Sequence, residues 1–407
     1  MQYSFKLASV SVVSMLLSSC GGADTSQDEV SSGEDIIAVA PTAAPSPTAS
    51  PTPSPTPPPA QTGIKGPAGY VQLSSVPRNF DSTDLLQDIR VAGSAAPDVV
   101  GAFRFICRPS HNAYDDPIVF PGQRGRAHLH TFFGNTSADA NSTYESLRTQ
   151  GDSTCNNMLN RSSYWMPALM NGHGQVVMPE WISIYYKRRP AADPVCQEGA
   201  GCIPVPRGLR YVFGNFMDGT SGGDMVTFKC SDADTGNFEN LPAAAVGCPD
   251  GSLIGMSLHA PPCWNGTQLD SPDHRSHMAY RVRDRNTGKE ACPSTHPYTI
   301  PTFKMTVRYQ TDSTLDRSGN TSPTLQTWHF SSDRMEGKPA MISGSTFHAD
   351  WFGAWDDEIL KKWTDHCIDR MLNCSDGNLG NGQMLRKNDL HNNEDAPRLV
   401  AAPPKIT

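Results

Sequence analysis

His128 and His130 stand one residue apart inside HLHTFFGN. On an extended strand alternate side chains share a face, so both imidazoles could converge on one point. The same spacing recurs in STFHADW, where His348 and Asp350 alternate. A third cluster, SPDHRSHMAY, carries Asp273, His274, Arg275, His277 and Tyr280, its two histidines three apart, a spacing that one helical turn brings to one side. His296 follows in CPSTHP. Neutral imidazoles, with a carboxylate holding their tautomer, suit a divalent transition metal such as zinc or copper. The expected ligand set is His130, His274, His277, His348 and Asp350.

The same residues could act without a metal, because histidine transfers protons near neutral pH and also simply ties carbonyls and acids together. For a polysaccharide lyase the chemistry needs a base, an acid and a positive group over the substrate carboxylate. His128 or His130 could be the base, Tyr164 or Tyr280 the acid, and Arg126 or Arg275 the positive group, which a metal could replace. A hydrolase would need two separated carboxylates, for which Asp273, Asp350 and Glu180 are available without a diagnostic spacing. Trp165, Trp181, Trp264, Trp328, Trp351 and Trp355 could stack on sugar rings, although core packing is the ordinary use of each. Trp264, between Cys263 and Asn265 in a loop-like stretch, is expected at the surface. The expected ligand contacts are Arg126, Trp165, Trp264, Arg275 and His296.

Strands must position most of these groups. FRFIC (103–107), WISIYYK (181–187), MVTFKC (225–230), FKMTVRYQ (303–310) and LQTWHF (325–330) are short, rich in β-branched and aromatic residues, and partly alternating. YWMPAL and WISIYY flank NGHGQ, whose Asn-Gly invites a turn. TYESLR suits a short helix. In DDEILKKWTDHCIDRML the residues Ile359, Leu360, Trp363, Cys367 and Met371 form one stripe behind an acidic N-terminus, the clearest helical pattern in the chain. The reading is a mainly β, single large β-sandwich or jelly-roll-like domain with a few helices.

The first residues set the compartment. Lys6, the apolar run LASVSVVSMLL and small residues before Cys20 read as a signal peptide over 1–19, and LSSC resembles a bacterial lipobox whose cysteine becomes acylated. Residues 20–66, with PTAAPSPTASPTPSPTPPPA at their heart, read as a semi-rigid linker, and 67–407 as the folded domain. Ten cysteines remain beyond Cys20, an even number that predicts up to five disulfides, with Cys196–Cys202 and Cys367–Cys374 as local pairs. The alternative is a thiolate metal site, against which the absence of any CxxC pair argues. A net charge of −8 with scattered basic residues argues against nucleic acid. A lipid anchor is the expected membrane contact, at the outer membrane.

HLHTFFGN, STC, YWMPAL, PPCWNGTQLDSPDHRSHMAY, CPSTHPYTIP and FHADWFGAWD resemble, in order, the motifs of a family of secreted fungal and bacterial proteins catalogued as a domain of unknown function, DUF1996. The resemblance spans roughly residues 78–375. Fungal members tend to carry a second glycine after the HxH segment where this chain reads FFGN. Some members are joined to cysteine-rich WSC modules that associate with carbohydrate, so the resemblance implies secretion, disulfides and a setting among cell-wall sugars. The expectation is therefore an envelope-anchored protein that acts on, or binds, extracellular or cell-wall polysaccharide through a histidine-rich site. The alternative is a non-catalytic carbohydrate- or metal-binding surface lipoprotein, and a third reading makes the histidines purely structural.

Overall fold

Two antiparallel sheets packed face to face form the body of the protein, here described from a computed structural model covering residues 64–65, 69–90, 93–98, 100–197, 199–222, 226–233, 235–392 and 396–405. The expected signal peptide, Cys20 and the Pro-rich tract lie outside the described residues. Ile64–Lys65, assigned to the linker on composition, pair with Val71–Gln72.

The strands of the two main sheets are β1 (Ser94–Ala95), β2 (Gly101–Cys107), β3 (Pro109–Ala113), β4 (His130–Gly134), β5 (Ser163–Pro167), β6 (Trp181–Arg188), β7 (Arg210–Gly214), β8 (Thr227–Cys230), β9 (Leu253–His259), β10 (Thr302–Gln310), β11 (His348–Phe352) and β12 (Leu372–Cys374). One sheet runs β8-β9-β10-β6-β2-β12-β1 and the other β7-β11-β5-β4-β3. Only β12 on β2 is a parallel pair within them. Four of the five expected strands therefore belong to the larger sheet, three of them central and β8 at its edge. LQTWHF is strand only at His329–Phe330, and NGHGQ turns between the short strands Leu169–Met170 and Gln175–Val177.

Alternation explains the core. Phe103, Phe105, Ile182, Ile184, Tyr186, Phe303 and Met305 face Tyr164, Met166, Tyr211, Phe213 and Trp351 across the sandwich, all essentially buried. Ring contacts seal the two layers: the Phe303 centroid lies 5.3 Å from both Phe213 and Trp351. Burying a large apolar side chain of this kind stabilises by about 1.5–3 kcal/mol, so these rows dominate the fold.

Helix α1 (Tyr144–Thr149) confirms TYESLR and begins with a Thr143–Ser146 capping box. Helices α2 (Leu241–Gly247) and α3 (Asp357–Trp363) complete the labelled set. The long helix expected from DDEILKKWTDHCIDRML is shorter than its pattern. Asp356 caps α3, but the chain loosens into a π-helical turn at Thr364–Ile368 and then leaves for β12. Met371, predicted on the buried stripe, is consequently 45% exposed and has a left-handed φ of 53°.

All five disulfides form, including the two local pairs; the others are Cys107–Cys155, Cys230–Cys248 and Cys263–Cys292. Cys107–Cys155 closes the longest loop, 48 residues, and ties β2 to the segment after α1. Replacing both of its cysteines by serine should lower the unfolding free energy by about 2–5 kcal/mol. Urea titration checks this, and a loss below about 1 kcal/mol would show that the bond constrains little.

Candidate metal centre

The five-stranded sheet has one face in the sandwich core, so its other face receives the alternate side chains. Phe133, Tyr164, Met166, Tyr211, Phe213, Ala349 and Trp351 point inward. His130, Phe132, Trp165, Val212, His348, Asp350 and Phe352 therefore point outward. His130 is opposite Pro167 on β5, and Asp350 is opposite Trp165 on the other side of the same strand. His130 and His348 thus approach one end of β5 from its two neighbours. Phe132, Trp165, Val212 and Phe352 continue this outer face as a second apolar cluster with Ile118, Tyr144 and Leu147.

Local contacts aim each ring. His130 Nδ1–H donates to the Asp115 carbonyl at 2.9 Å, and His348 Nδ1–H donates to the Thr346 carbonyl at 2.7 Å. Both Nε2 atoms are then left with a lone pair. His128 sits two residues before His130, on a chain clamped by Ala127 N–H to Tyr114 O and by the Ser331 hydroxyl to Leu129 O. Gly214, paired with His348, has a φ of 96°, and a Cβ there would meet the His348 Cα at 2.9 Å. Only glycine lets β7 lie this close to the histidine.

One ring nitrogen from each of His128, His130 and His348 lies within 4.8 Å of the other two. The ring centroids are 4.2 Å apart for His128–His130 and 5.2 Å for His128–His348. Asp350 Oδ2 is 3.9 Å from His348 Nε2. Nε2 of His128, Nε2 of His130 and both carboxylate oxygens of Asp350 are buried without a hydrogen-bond partner. Such orphaned groups each cost about 1–3 kcal/mol, so a cluster of them needs an explanation. Nitrogens bound tetrahedrally to one ion at about 2.1 Å stand about 3.4 Å apart, so a shared cation requires an inward closure of up to about 1.4 Å. The donor set fits a borderline divalent metal.

The electrostatics agree. Burial, then the neighbouring imidazoles, holds His128 well below the ordinary histidine value. Burial lowers His130 as well, against Asp116, and brings His348 down to about 3. Burial, then Asp116, pushes Asp350 well above the carboxylate range, with Arg275 opposing. Asp116 is also raised by burial, while its Oδ1 accepts from the backbones of Ile118 and Val119. The rings are thus neutral, the form a metal takes, and a bound cation would favour the ionised carboxylates.

A cleft of about 540 Å³ opens onto His128. His329 lines it with its Nδ1–H given to the Thr327 carbonyl at 2.9 Å, which leaves Nε2 outside that bond. Tyr114, Arg126, Arg334, Glu336, Lys338 and Lys405 complete its polar wall. His329, Asp116 and Tyr114 were missed in the sequence reading. The only local signals were the paired acids in YDD and a histidine within a strand-like run.

The remaining expected residues are placed elsewhere. The structure separates His274 and His277 from the three-histidine cluster, because both are spent on the loop that covers the edge of β7. His277 Nε2–H donates to the Arg210 carbonyl at 2.9 Å and its Nδ1 lies 2.8 Å from the Ser271 hydroxyl, while His274 pairs with Asp270. The His274 carbonyl accepts from Val212, and Arg275 donates to the Gly214 carbonyl at 2.9 Å. Arg275 is nonetheless close enough to act on Asp350. Asp273 caps this loop by accepting from Ser271 and Ser276. Tyr280 donates to the His259 carbonyl, and His296 contacts Thr295 and the Ser276 carbonyl.

Tyr164 is on the wrong face of the sheet for an acid beside His128. It is wholly buried, 3.2 Å from the Tyr186 hydroxyl. Trp165 shares the histidines' face but is stacked on Phe132 and buried. Trp264, expected at the surface, is also fully buried, its indole N–H given to the Gln268 carbonyl. Trp328, Trp351 and Trp355 are core residues too, so bulky rings went to packing rather than to a sugar platform.

A family model described as a domain of unknown function (DUF1996) matches residues 116–355, a span that includes His128, His130, His329, His348 and Asp350. No curated protein and no solved structure matches the chain.

His277 offers a test of the edge-covering assignment. Burial first, against Asp270 and the Arg210 carbonyl, lowers it from 6.5 to about 4 in the folded chain. The unfolded chain binds more protons between those values, so stability is full above pH 6.5 and falls as the pH drops toward 4. This residue should cost about 2 kcal/mol on going from about pH 7 to about pH 5. His277→Gln should flatten the pH dependence of the urea midpoint by that amount; an unchanged slope would refute the assignment.

Proposed function

The chain belongs to the DUF1996 family, and we propose that it is a cell-envelope protein whose His128–His130–His348 centre holds a divalent transition metal and acts on polysaccharide. The observation that carries this reading is the convergence of imidazole nitrogens from two distant segments, two of them buried and unpartnered, behind a ligand-sized cleft that His128 lines. A metal held there would supply a Lewis acid next to a bound carboxylate or carbonyl. Asp350 would hold or join the ligand set, and Arg275 would balance its charge. His329 is the proton-transfer group, neutral because burial lowers it to about 4, with Nε2 outside its bond to Thr327 and Tyr114 across the cleft. Cys20 would carry the lipid anchor, and the Pro-rich tract would hold the domain away from the outer membrane.

A second reading, a binder that holds metal or glycan without turnover, is favoured by Asp350. Its carboxylate lies near enough to His348 to occupy a fourth metal position, and a closed four-ligand site is structural rather than catalytic.

Elemental analysis of the purified chain should find one transition metal per molecule. His128→Ala/His130→Ala should lose it, whereas Tyr280→Phe should keep it; metal absent from all three would end the metal reading. In an assay for new reducing ends or the ultraviolet absorbance of unsaturated uronates, His329→Ala should lose about 10²–10⁴-fold in rate with its metal intact. Retained metal without turnover in the parent chain would select the binder. Cys20→Ser should move the protein from the membrane to the soluble fraction, and continued membrane association would exclude the anchor.

A further inference from the structure

Among the described residues, none of the strongly basic side chains on the cleft wall forms an ion pair. Arg126, Arg334, Lys338 and Lys405 line the cleft over His128 with one carboxylate, Glu336, in a chain whose net charge is −8. Several surface cations elsewhere are matched: Arg124 with Asp139, Lys362 with Glu358, Lys387 with Asp376 and Arg398 with Asp312. Among the described residues the four cleft cations have no such ion pair. Arg126 lies 6.0 Å from the Phe120 ring centre and Lys405 lies 5.8 Å from that of Tyr114. Arg334 donates to the carbonyls of Pro323 and Gln326 and feels buried Asp333 without a direct ion pair to it.

We infer that this cleft selects an anionic sugar chain, one that bears carboxylates as a polyuronate does. The inference rests on the reading of the site as one that handles polysaccharide, and adds the substrate class. Like-signed charges brought together without counter-charge repel, and an anionic ligand relieves that repulsion while the cleft's field draws it in. Neutral glycans are commonly held by flat aromatic faces. Here the cleft's one tyrosine, Tyr114, is engaged by Lys405, and the tryptophans next to the histidine face are buried. Recognition therefore falls to charge. Four cations around a pocket also make a short footprint compared with the extended basic face that a nucleic acid requires. A carboxylate on the sugar ring would sit between these cations and His128, next to the bond that a lyase breaks when a base removes the proton beside that carboxyl group.

The test is calorimetric titration of the zinc-loaded full chain with an oligogalacturonate, its methyl ester and a single-stranded oligonucleotide of equal charge. The acid form should bind about tenfold or more tighter than the ester and weaken as salt rises. Arg126→Gln/Lys338→Gln, two exposed positions, should lose about tenfold in affinity for the acid form with metal content and circular dichroism unchanged. Equal binding of acid and ester, equal or tighter binding of the oligonucleotide, no binding at all, or an unaffected double variant would each overturn the inference. Its failure is distinct from that of the metal reading. A chain that takes up no metal yet prefers the acid form by this margin would retain the anionic cleft and lose the metal centre.

Discussion

A strand cannot send neighbouring side chains to the same face, and that constraint organises this protein. Once Phe133, Tyr164, Tyr211 and Trp351 are buried between the sheets, His130, Trp165, Val212, His348 and Asp350 must emerge on the far side. The apolar core therefore determines, without touching it, where the polar cluster forms. A register slip of one residue in β4 or β11 would bury the imidazoles in the sandwich and expose Phe133 or Trp351. The large penalty for that exchange is what keeps two distant segments aimed at one point.

The cluster itself is costly. Buried imidazoles and carboxyls without partners disfavour the fold, and the site exists because the surrounding layers supply a surplus. Its supports are mostly backbone groups. The Asp115 and Thr346 carbonyls set the tautomers of His130 and His348, the Gly214 backbone leaves room for β11, and the Tyr114–Ala127 bond fixes the approach of His128. Supports of this kind leave little trace in side-chain chemistry.

The SPDHRSH block has a different task from the one its composition suggests. β7 is an edge strand of the sheet that carries the site, and edge strands present unpaired backbone groups. Residues 269–277 satisfy them: Leu269 and His274 carbonyls accept from Arg210 and Val212, while His277 and Arg275 donate to Arg210 and Gly214 carbonyls. The block thus braces the neighbour of β11 and acts on the carboxylates of the centre through Arg275, toward Asp350, and His274, toward Asp116. Dense polar motifs close in sequence are often this kind of local staple, because residues a few positions apart satisfy one another most cheaply.

Short-range physics made part of this protein legible in its sequence. Alternation revealed the strands and placed His128 with His130 and His348 with Asp350; composition indicated the mainly β class; separations of 6 and 7 residues identified two disulfides. What the sequence could not order was contact between segments. Whether His277 or His128 joins His348 depends on strand order in a sheet, a global property with no local marker. The same holds for Tyr164, whose neighbour Trp165 lies on the histidines' face while its own ring lies in the core. His329 and the cleft cations were equally hidden, since a charged side chain on a loop acquires its meaning only when folding sets it beside others of the same sign. Tertiary structure made these choices because burial of the aromatic core was worth more than any single polar contact.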